Sequence, residues 1–488
     1  MRANRDKKPL RRIIGNALNL LLERGIYAIC SFVYIPYTVQ AIGLEAFGYM
    51  LLVTTYVAVI MDLTNLVSWK MVLHYGTAPF HAGNRQQFYQ VLRFGAQLDL
   101  LSAAAGYLVG LAGIALFSQH MGWPDELRPL AEVCMLAVFC DATGWCVGVT
   151  RLLDRFRYLT VANGIIALIR TLGCVIGYYA HYGLEYFMYL WLASSALVFC
   201  GDSLAALYAL RQQGAGRPDW RSLFRSPELL RGAWRFTLMN SVNQVLFSVS
   251  RKLPTLLIGS YTGASEAAIF KVSTQITDGI VKPARALIPS LYPEFVHLKE
   301  EGRLDEIHRV IRKILLYVSG FSVVVIFVAV VFGDTVLHAL LRTGGDGSQI
   351  LPVLGGAALM NIISLPLEPF MIVTGRLGSV LRFRVLSILA SLPLLAMLLY
   401  LYGGLGAAVA LVIPRPEPWP SLSARPGMPL PWPGTGLPEL AGSGPPGLYL
   451  PAAGSRRLQQ ADKNPDPAGN LFRQVEQLVF IVQLALHL

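Results

Sequence analysis

Long apolar runs separated by short polar segments dominate the first 413 residues of this 488-residue chain. A helix that crosses the hydrocarbon core of a bilayer needs about 20 mainly apolar residues. Eleven runs reach that length: 13–36, 48–69, 98–117, 130–150, 159–179, 187–210, 236–259, 267–291, 314–333, 350–373 and 385–402. A twelfth run, 405–413, stops too early to cross. The pattern predicts an all-α, polytopic membrane protein with eleven full spans and a truncated twelfth.

Composition excludes a soluble globule. Hydrophobic residues make up 54% of the chain and charged residues only 14%, whereas a soluble domain carries about 25% charged residues. The six cysteines lie in apolar runs, with no Cys-x-x-Cys pair and no nearby cluster of histidines. We therefore expect buried free thiols, no metal site and no cofactor.

The net charge of +12 is best explained by loops and not by nucleic-acid binding. With the N-terminus inside, the predicted cytoplasmic segments hold 26 Lys and Arg residues and the outside loops hold two, Arg128 and Arg342. Cytoplasmic loops of membrane proteins are enriched in Lys and Arg. The chain is thus predicted to be a multi-pass protein of the plasma membrane with a cytoplasmic N-terminus.

The chain divides into two halves at a polar gap. Residues 1–210 form a predicted bundle of six helices, 211–235 a cytoplasmic linker, and 236–413 a second bundle whose last helix is incomplete. Residues 43–49 read Gly-Leu-Glu-Ala-Phe-Gly-Tyr, and 263–270 read Gly-Ala-Ser-Glu-Ala-Ala-Ile-Phe, each at the first outer turn of its half. An even number of helices per half makes the two bundles parallel repeats around a central cavity, as in many transporters.

The stretch Pro-Tyr-Thr-Val-Gln-Ala-Ile-Gly-Leu-Glu-Ala-Phe-Gly-Tyr at 36–49 resembles the first-helix signature of bacterial polysaccharide exporters. These are the lipid-linked oligosaccharide (O-antigen type) flippases of the multidrug/oligosaccharidyl-lipid/polysaccharide exporter superfamily. The segment 258–270 and the two-half layout are also similar, so the resemblance covers residues 10 to about 413. It implies a V-shaped cavity and movement of undecaprenyl-pyrophosphate-linked sugars to the outer leaflet of the inner membrane. The chain departs from the family at Arg251-Lys252, where many members carry an acid, and at the twelfth helix.

Seven cations fall inside predicted spans, where a charge costs about 2.5–3.5 kcal/mol or more. They are Arg24, Arg170, Arg251, Lys252, Lys271, Lys282 and Arg285. In the resembled family the first, second, seventh and eighth helices line the cavity, which implies substrate contacts for Arg24, Arg251, Lys252 and Lys271. Arginine suits a pyrophosphate because its planar fork donates paired hydrogen bonds. Lys282 and Arg285 could instead extend to the membrane surface, and Glu23 could neutralise Arg24.

Two intramembrane acids are candidates for ion coupling, which needs a carboxylate that changes protonation or binds the ion. Asp62 shares a helical face with Asn65, and Glu368 lies between two prolines that free backbone carbonyls. Asp62 could equally form an interhelical hydrogen bond or an ion pair, with Arg24 as one partner. Two further acids, Asp99 and Glu132, lie near span ends and are expected to be solvent-exposed.

The sequence favours a lipid-linked oligosaccharide flippase that works by alternating access and breaks no bond, so it is not an enzyme. Its expected partners are the lipid-linked substrate, a proton or sodium ion, membrane lipids, and polysaccharide polymerase and export machinery. One alternative is a cation-coupled multidrug exporter of the same superfamily, which would favour an acidic cavity. Another is a membrane oligosaccharide polymerase or ligase. Such enzymes usually need a long outside loop, and the longest one here is 334–349.

The tail 414–488 differs from the rest of the chain, since 14 of the 29 prolines lie within 414–467. Proline at this density cannot form a helix or satisfy its backbone in lipid, so the segment is predicted to be disordered. It could be a functional tail for a proline-recognition domain. A frameshift within the twelfth helix is favoured, because the change falls in mid-helix without a loop or a charged stop.

Resequencing across the codon for Ile413 tests the frameshift. We expect a corrected frame that continues an apolar helix past this residue. An unchanged frame would assign the proline-rich tail to the native protein.

Overall fold

The computed structural model describes residues 7–117, 122–213, 232–285, 331–333, 335–341, 349–364 and 377–412. Within these residues every regular element is a helix, as the apolar pattern predicts. In chain order the helices are α1 (Lys7–Ile42), α2 (Leu44–Thr64), α3 (Ser68–His81), α4 (Arg85–Phe117), α5 (Arg128–Cys134), α6 (Ala137–Cys140), α7 (Gly144–Leu152), α8 (Phe156–Tyr179), α9 (Leu184–Gln212), α10 (Ala233–Tyr261), α11 (Ala264–Arg285), α12 (Ile350–Ser364) and α13 (Leu377–Val412). Short helical pieces also cover 331–333 and 335–341.

Seven helical segments in the described ranges are long and apolar enough to cross a membrane. They are Gly25–Ile42, Leu44–His81, Arg85–Phe117, Asp125–Leu152, Arg157–Tyr179, Leu184–Gln212 and Leu389–Val412. These segments match the first six predicted spans and the eleventh, which confirms a polytopic all-α membrane fold. The second and fourth spans differ from the prediction in being broken, into α2–α3 and α5–α7.

The predicted seventh and eighth spans are present as α10 and α11. They are not among the seven apolar segments, because charged residues interrupt both of them. With 29 residues, α10 is about 44 Å long at 1.5 Å per residue, enough to cross a core of about 30 Å. Most of the predicted ninth span, 314–333, lies outside the described residues.

The two repeated motifs form similar turns that contact each other. Gly43 between α1 and α2 has φ 83°, and Gly263 between α10 and α11 has φ 103°, values that favour glycine. Close by, a Cβ atom on Gly48 would lie 2.2 Å from the carbonyl oxygen of Ala264. Glycine at this position therefore lets α2 approach the start of α11 backbone to backbone. We call this end of the bundle the Gly43 end; the loop charges predict that it is the outer end.

Helix α10 runs antiparallel to α2 and α3 and contacts both. We call this interface the central seam, because it joins the first and second predicted halves of the chain. From the Gly43 end onward, the seam brings together Leu52 with Gly259, Asp62 with Lys252, Lys70 with Asn240, and His74 with Phe236. The division into two six-helix bundles stays a prediction, and the seam is where those halves would meet.

Two apolar clusters pack at different levels of the bundle. The first includes Phe47 and Val57 of α2 and Ile258 of α10. The second includes Met71 of α3, Val91 of α4 and further residues of α7 and α9. Helices α4, α9 and α10 contribute to both clusters, at opposite parts of their lengths. The polar residues described below lie between the two clusters, and we call them the polar layer.

The last described helix bends sharply at Gly403, which has φ 60° and ψ −144° within α13. The eleventh predicted span ends at residue 402, next to this bend. The Glu266 carboxylate accepts a hydrogen bond of 2.9 Å from the backbone N–H of Gly404. Residues 404–412 therefore begin the predicted twelfth helix, anchored at its N-terminus by α11. The tail 414–488 lies outside the described residues.

The Gly48 contact predicts a stability difference between two glycine variants. Gly48→Ala should lower the free energy of unfolding by about 1–3 kcal/mol, because its Cβ overlaps a backbone carbonyl. Gly279→Ala is the matched control, since no heavy atom lies within 4 Å of its Cβ position. That variant should be neutral or stabilising by up to about 1 kcal/mol. Thermal unfolding of the detergent-purified variants measures both, and equal melting temperatures would contradict the close packing.

Candidate functional site: the charged polar layer

An ion pair across the central seam forms the centre of the polar layer. The Lys252 ammonium of α10 bonds the Asp62 carboxylate of α2. It also donates a hydrogen bond of 3.1 Å to the carbonyl oxygen of Ala58, and the Ser248 hydroxyl donates to Asp62. The side chains of Asp62 and Lys252 are 23% and 29% exposed. Both groups are therefore partly accessible in mid-span, where an ion pair that faced lipid would be far more costly than one beside protein or water.

A second pair lies beside the first. Arg251 of α10 bonds the carboxylate of Asp278 on α11. Lys271 of α11 is half-buried and lies within electrostatic range of Lys252, Arg251 and Asp278. Among the described residues, no hydrogen bond or ion pair of the Lys271 ammonium is observed. Lys271 is therefore the cation of this cluster that is best placed to bind an added anion.

Breaks in two helices bring further polar groups to the layer. Residues 65–67 separate α2 from α3, and residues 141–143 separate α6 from α7. The Asn65 amide nitrogen lies 3.5 Å from a carboxylate oxygen of Asp141. Asp141 is exposed and within electrostatic range of Asp62 and Lys252. Each break therefore places one polar side chain next to the ion pair across the seam.

Asp99 contradicts its sequence-based expectation. The sequence predicts a wet side chain near a span end, but Asp99 is only 8% exposed. Its carboxylate accepts hydrogen bonds from the Ser68 hydroxyl and from the backbone N–H of Trp145, the latter at 2.7 Å. The prediction is wrong because α4 begins at Arg85, so that Asp99 lies well inside the helix. Glu132 is partly exposed as expected, and it pairs with Arg128.

The structure brings together four of the six predicted site residues. Arg251, Lys252, Lys271 and Asp62 come together in one cluster. Arg24 lies on α1, but its side chain is outside the described part of the structure, and Glu368 is outside the described residues. The partner of Asp62 is Lys252, whereas the sequence offers Arg24. Arg170, another intramembrane cation, lies over the ring of Tyr34, 4.8 Å from its centroid.

Sequence reasoning assigns no roles to the acids that complete the cluster. Asp141 and Asp278 stand as isolated charges in their spans, and no spacing rule joins them to α2 or α10. Among the described residues the cluster holds three acids and three cations, whose formal charges cancel: Asp62, Asp141, Asp278, Arg251, Lys252 and Lys271. Of the three cations, Arg251 and Lys252 are already paired, so an anion that binds either of them must exchange with the carboxylate present.

The six cysteines are free, and the expected burial holds for four of them, whereas Cys140 is half-buried and Cys200 is exposed. Within the described ranges no group of three or more His, Cys, Asp or Glu side chains is placed to hold a metal ion.

Comparison with known sequences gives one informative relative. No protein-family model matches this chain. An inner membrane protein of Escherichia coli (strain K12), YghQ, is 26% identical over 291 residues, which cover 59% of this chain and 81% of that protein.

Solved structures with the same fold are transporters. A multidrug resistance MATE family transporter of the MOP superfamily, in an inward-facing conformation, matches with a TM-score of 0.62 and 15% identity, over 82% of this chain and 94% of that one. A MOP superfamily transporter from Pyrococcus furiosus, described by a reversed polarity of its binding pocket, matches with a TM-score of 0.51 and 14% identity, over 83% and 91%. A mutant of the Vibrio cholerae MATE transporter VcmN also matches with a TM-score of 0.51 and 14% identity, over 83% and 94%. The chain thus has the fold of MOP superfamily transporters.

The Asp62–Lys252 pair predicts an energetic coupling that a double-mutant cycle measures. Asp62→Asn and Lys252→Met should each destabilise the protein, because each leaves the other group without its charge partner. The double variant should recover part of the loss, with a coupling energy of about 1–3 kcal/mol. The exposed pair Arg128–Glu132 is the control and should give about 0.5 kcal/mol. Additive effects at Asp62 and Lys252 would contradict the pair.

Proposed function

We propose that this protein is a transporter of the bacterial inner membrane that flips an undecaprenyl-pyrophosphate-linked oligosaccharide by alternating access. The fold shared with MOP superfamily transporters supports the transport class, and the likeness to an inner membrane protein supports the location. These relatives are transporters or membrane proteins, in agreement with a chain that breaks no bond. Surface polysaccharide synthesis, with its polymerase and export machinery, is the proposed setting.

The observation that carries the substrate class is the set of cations on α10 and α11. Arg251, Lys252 and Lys271 lie together at mid-span, where a dehydrated pyrophosphate needs fixed positive partners. Lys271 is the proposed first contact, since no partner for its ammonium is observed among the described residues. The sugars would occupy the cavity and the lipid chain would stay in the bilayer.

Binding of the substrate would exchange partners within the cluster. As the pyrophosphate approaches Lys252 and Arg251, it competes with the carboxylates of Asp62 and Asp278. A released carboxylate in a partly dry site gains stability when it binds a proton or a sodium ion. The same pair would thus link substrate binding to the coupling ion, and Asp62 is the proposed coupling residue.

The proposal also includes two residues whose side chains lie outside the described part of the structure. Arg24 is proposed as an additional substrate contact on α1, and Glu368 as a second coupling acid. The cytoplasmic N-terminus is proposed from the loop charges. It would place the Gly43 end outside, and the glycine contact at Gly48 would then close the outer face of the seam.

Deletion of the gene tests the proposed substrate. We expect intact undecaprenyl-linked repeat units to accumulate in the inner leaflet, detected by mass spectrometry of lipids separated by leaflet accessibility. Complementation with the wild-type chain should remove them. Unchanged surface polysaccharide and no accumulation would reject the flippase, and loss of resistance to cationic drugs would favour the multidrug alternative.

Complementation with site variants locates the anion contact. Lys271→Met should reduce export by about 10-fold or more, because a charge-assisted hydrogen bond contributes about 1.5–3 kcal/mol. Lys271→Arg should retain most export, since it keeps the charge. Arg128→Gln is the matched control, as Arg128 lies in an exposed pair away from the cluster. Normal export by Lys271→Met would remove this residue from the site.

A further inference from the structure

Two interruptions of membrane-embedded helices meet in the polar layer, at residues 65–67 and 141–143. Backbone groups freed by such breaks have no water to bind in the bilayer and need partners within the protein. Val67 adds strain, because this β-branched residue has φ 45°. A strained turn persists only where its surroundings hold it, so contacts from the rest of the protein must stabilise both breaks.

Helix α4 supplies these contacts through two residues one turn apart. The Ser102 hydroxyl oxygen accepts a hydrogen bond of 3.1 Å from the backbone N–H of Leu66. One turn earlier, Asp99 accepts from the Ser68 hydroxyl at the start of α3 and from the Trp145 N–H at the start of α7. One carboxylate thus ties together the first turns of two helices.

The space around Asp99 is closed. A Cβ atom on Gly144 would lie 2.2 Å from the Ser68 hydroxyl oxygen and 2.9 Å from a carboxylate oxygen of Asp99. Asp99 is also buried, whereas the Asp62 side chain is 23% exposed. Its position is suited to holding α3 and α7 together and unsuited to contact with a transported molecule.

The two breaks determine where the exposed polar groups of the layer lie. Asn65 accepts a hydrogen bond of 2.6 Å from the Val67 N–H, while its amide nitrogen faces Asp141. Asp141 in turn lies near the Asp62–Lys252 pair. Asp99 is therefore linked to the surroundings of the Asp62–Lys252 pair through the first turns of α3 and α7.

We propose that Asp99 is a positioning residue: by anchoring the starts of α3 and α7, it keeps Asn65 and Asp141 next to the Asp62–Lys252 pair. Its hydrogen-bond acceptors carry this role, and its charge is dispensable. The inference rests on the proposed function only for the transport consequence, because the anchoring itself is a property of the folded chain.

Thiol labelling of the full-length protein in membranes tests the anchoring without a substrate. Cys146 follows Trp145 in α7 and is fully buried. In Asp99→Ala, N-ethylmaleimide should label Cys146 about 10-fold faster than in wild type, measured by peptide mass spectrometry. Cys174 of α8, also buried, is the internal control and should stay protected. Faster labelling of both thiols would indicate general unfolding, and Ser68→Ala, which removes one hydrogen bond, then serves as the milder variant.

Asp99→Asn separates anchoring from charge. Its carbonyl oxygen can accept from the Trp145 N–H and its amide can donate to Ser68, so both contacts survive without the negative charge. We expect wild-type protection of Cys146 and export within about threefold of wild type, against a loss of about 10-fold or more in Asp99→Ala. Glu132→Gln, in an exposed pair, is the matched control for removal of an acid.

Several outcomes would overturn the positioning role. Protected Cys146 in both Asp99→Ala and Ser68→Ala would show that Asp99 does not anchor α7. Lost export in Asp99→Asn with protected Cys146 would assign the role to the charge. If the labelling pattern is as expected but deletion of the gene accumulates no lipid-linked sugar, the positioning role stands and the proposed substrate fails.

Discussion

The salt bridge between Asp62 and Lys252 is the interaction around which this bundle is organised. Each charge is costly alone at mid-span, and each offsets part of the cost of the other. Because Asp62 is on α2 and Lys252 on α10, the pair also joins the two predicted halves of the chain at the level of the polar layer. The apolar clusters on either side of that layer hold the helices in register, so the pair lies between two dry regions.

Charge also explains why the helices around the cavity differ from those that face lipid. The most apolar segments, such as α4 and α8, qualify as spans by composition, whereas α10 and α11 do not. These two helices carry Arg251, Lys252 and Lys271, of which Lys252 pairs with an acid on α2 and Arg251 with an acid on α11. The broken helices follow the same rule. Irregular backbone inside a membrane occurs where protein or a cavity surrounds it, and both breaks here lie against α4 and the polar layer.

The balance of three acids and three cations changes the physical picture of the site. A cavity with surplus positive charge would bind an anion strongly and release it slowly. Arg251 and Lys252 are already paired and bind an anion only by exchange, and the displaced carboxylates must then be neutralised by another cation. Reversible exchange of this kind suits a carrier, in which a partner must be given up on the other side. The shared fold with MOP superfamily transporters is consistent with such a cycle.

Local sequence properties determined the helical membrane class, most span positions and the glycine turns at Gly43 and Gly263, because hydropathy and φ preference depend on neighbouring residues only. They also singled out Asp62, Arg251, Lys252 and Lys271, since any ionisable residue in an apolar run is conspicuous. Partner choice was decided by the tertiary structure. Lys252 reaches Asp62 from 190 positions away, and Asp99 serves two helices whose starts no periodicity predicts. The breaks at 65–67 and 141–143 contain polar residues, Asn65, Asp141 and Thr143, but the surrounding apolar runs are long enough to predict unbroken spans. Contacts with α4 hold the interrupted helices there.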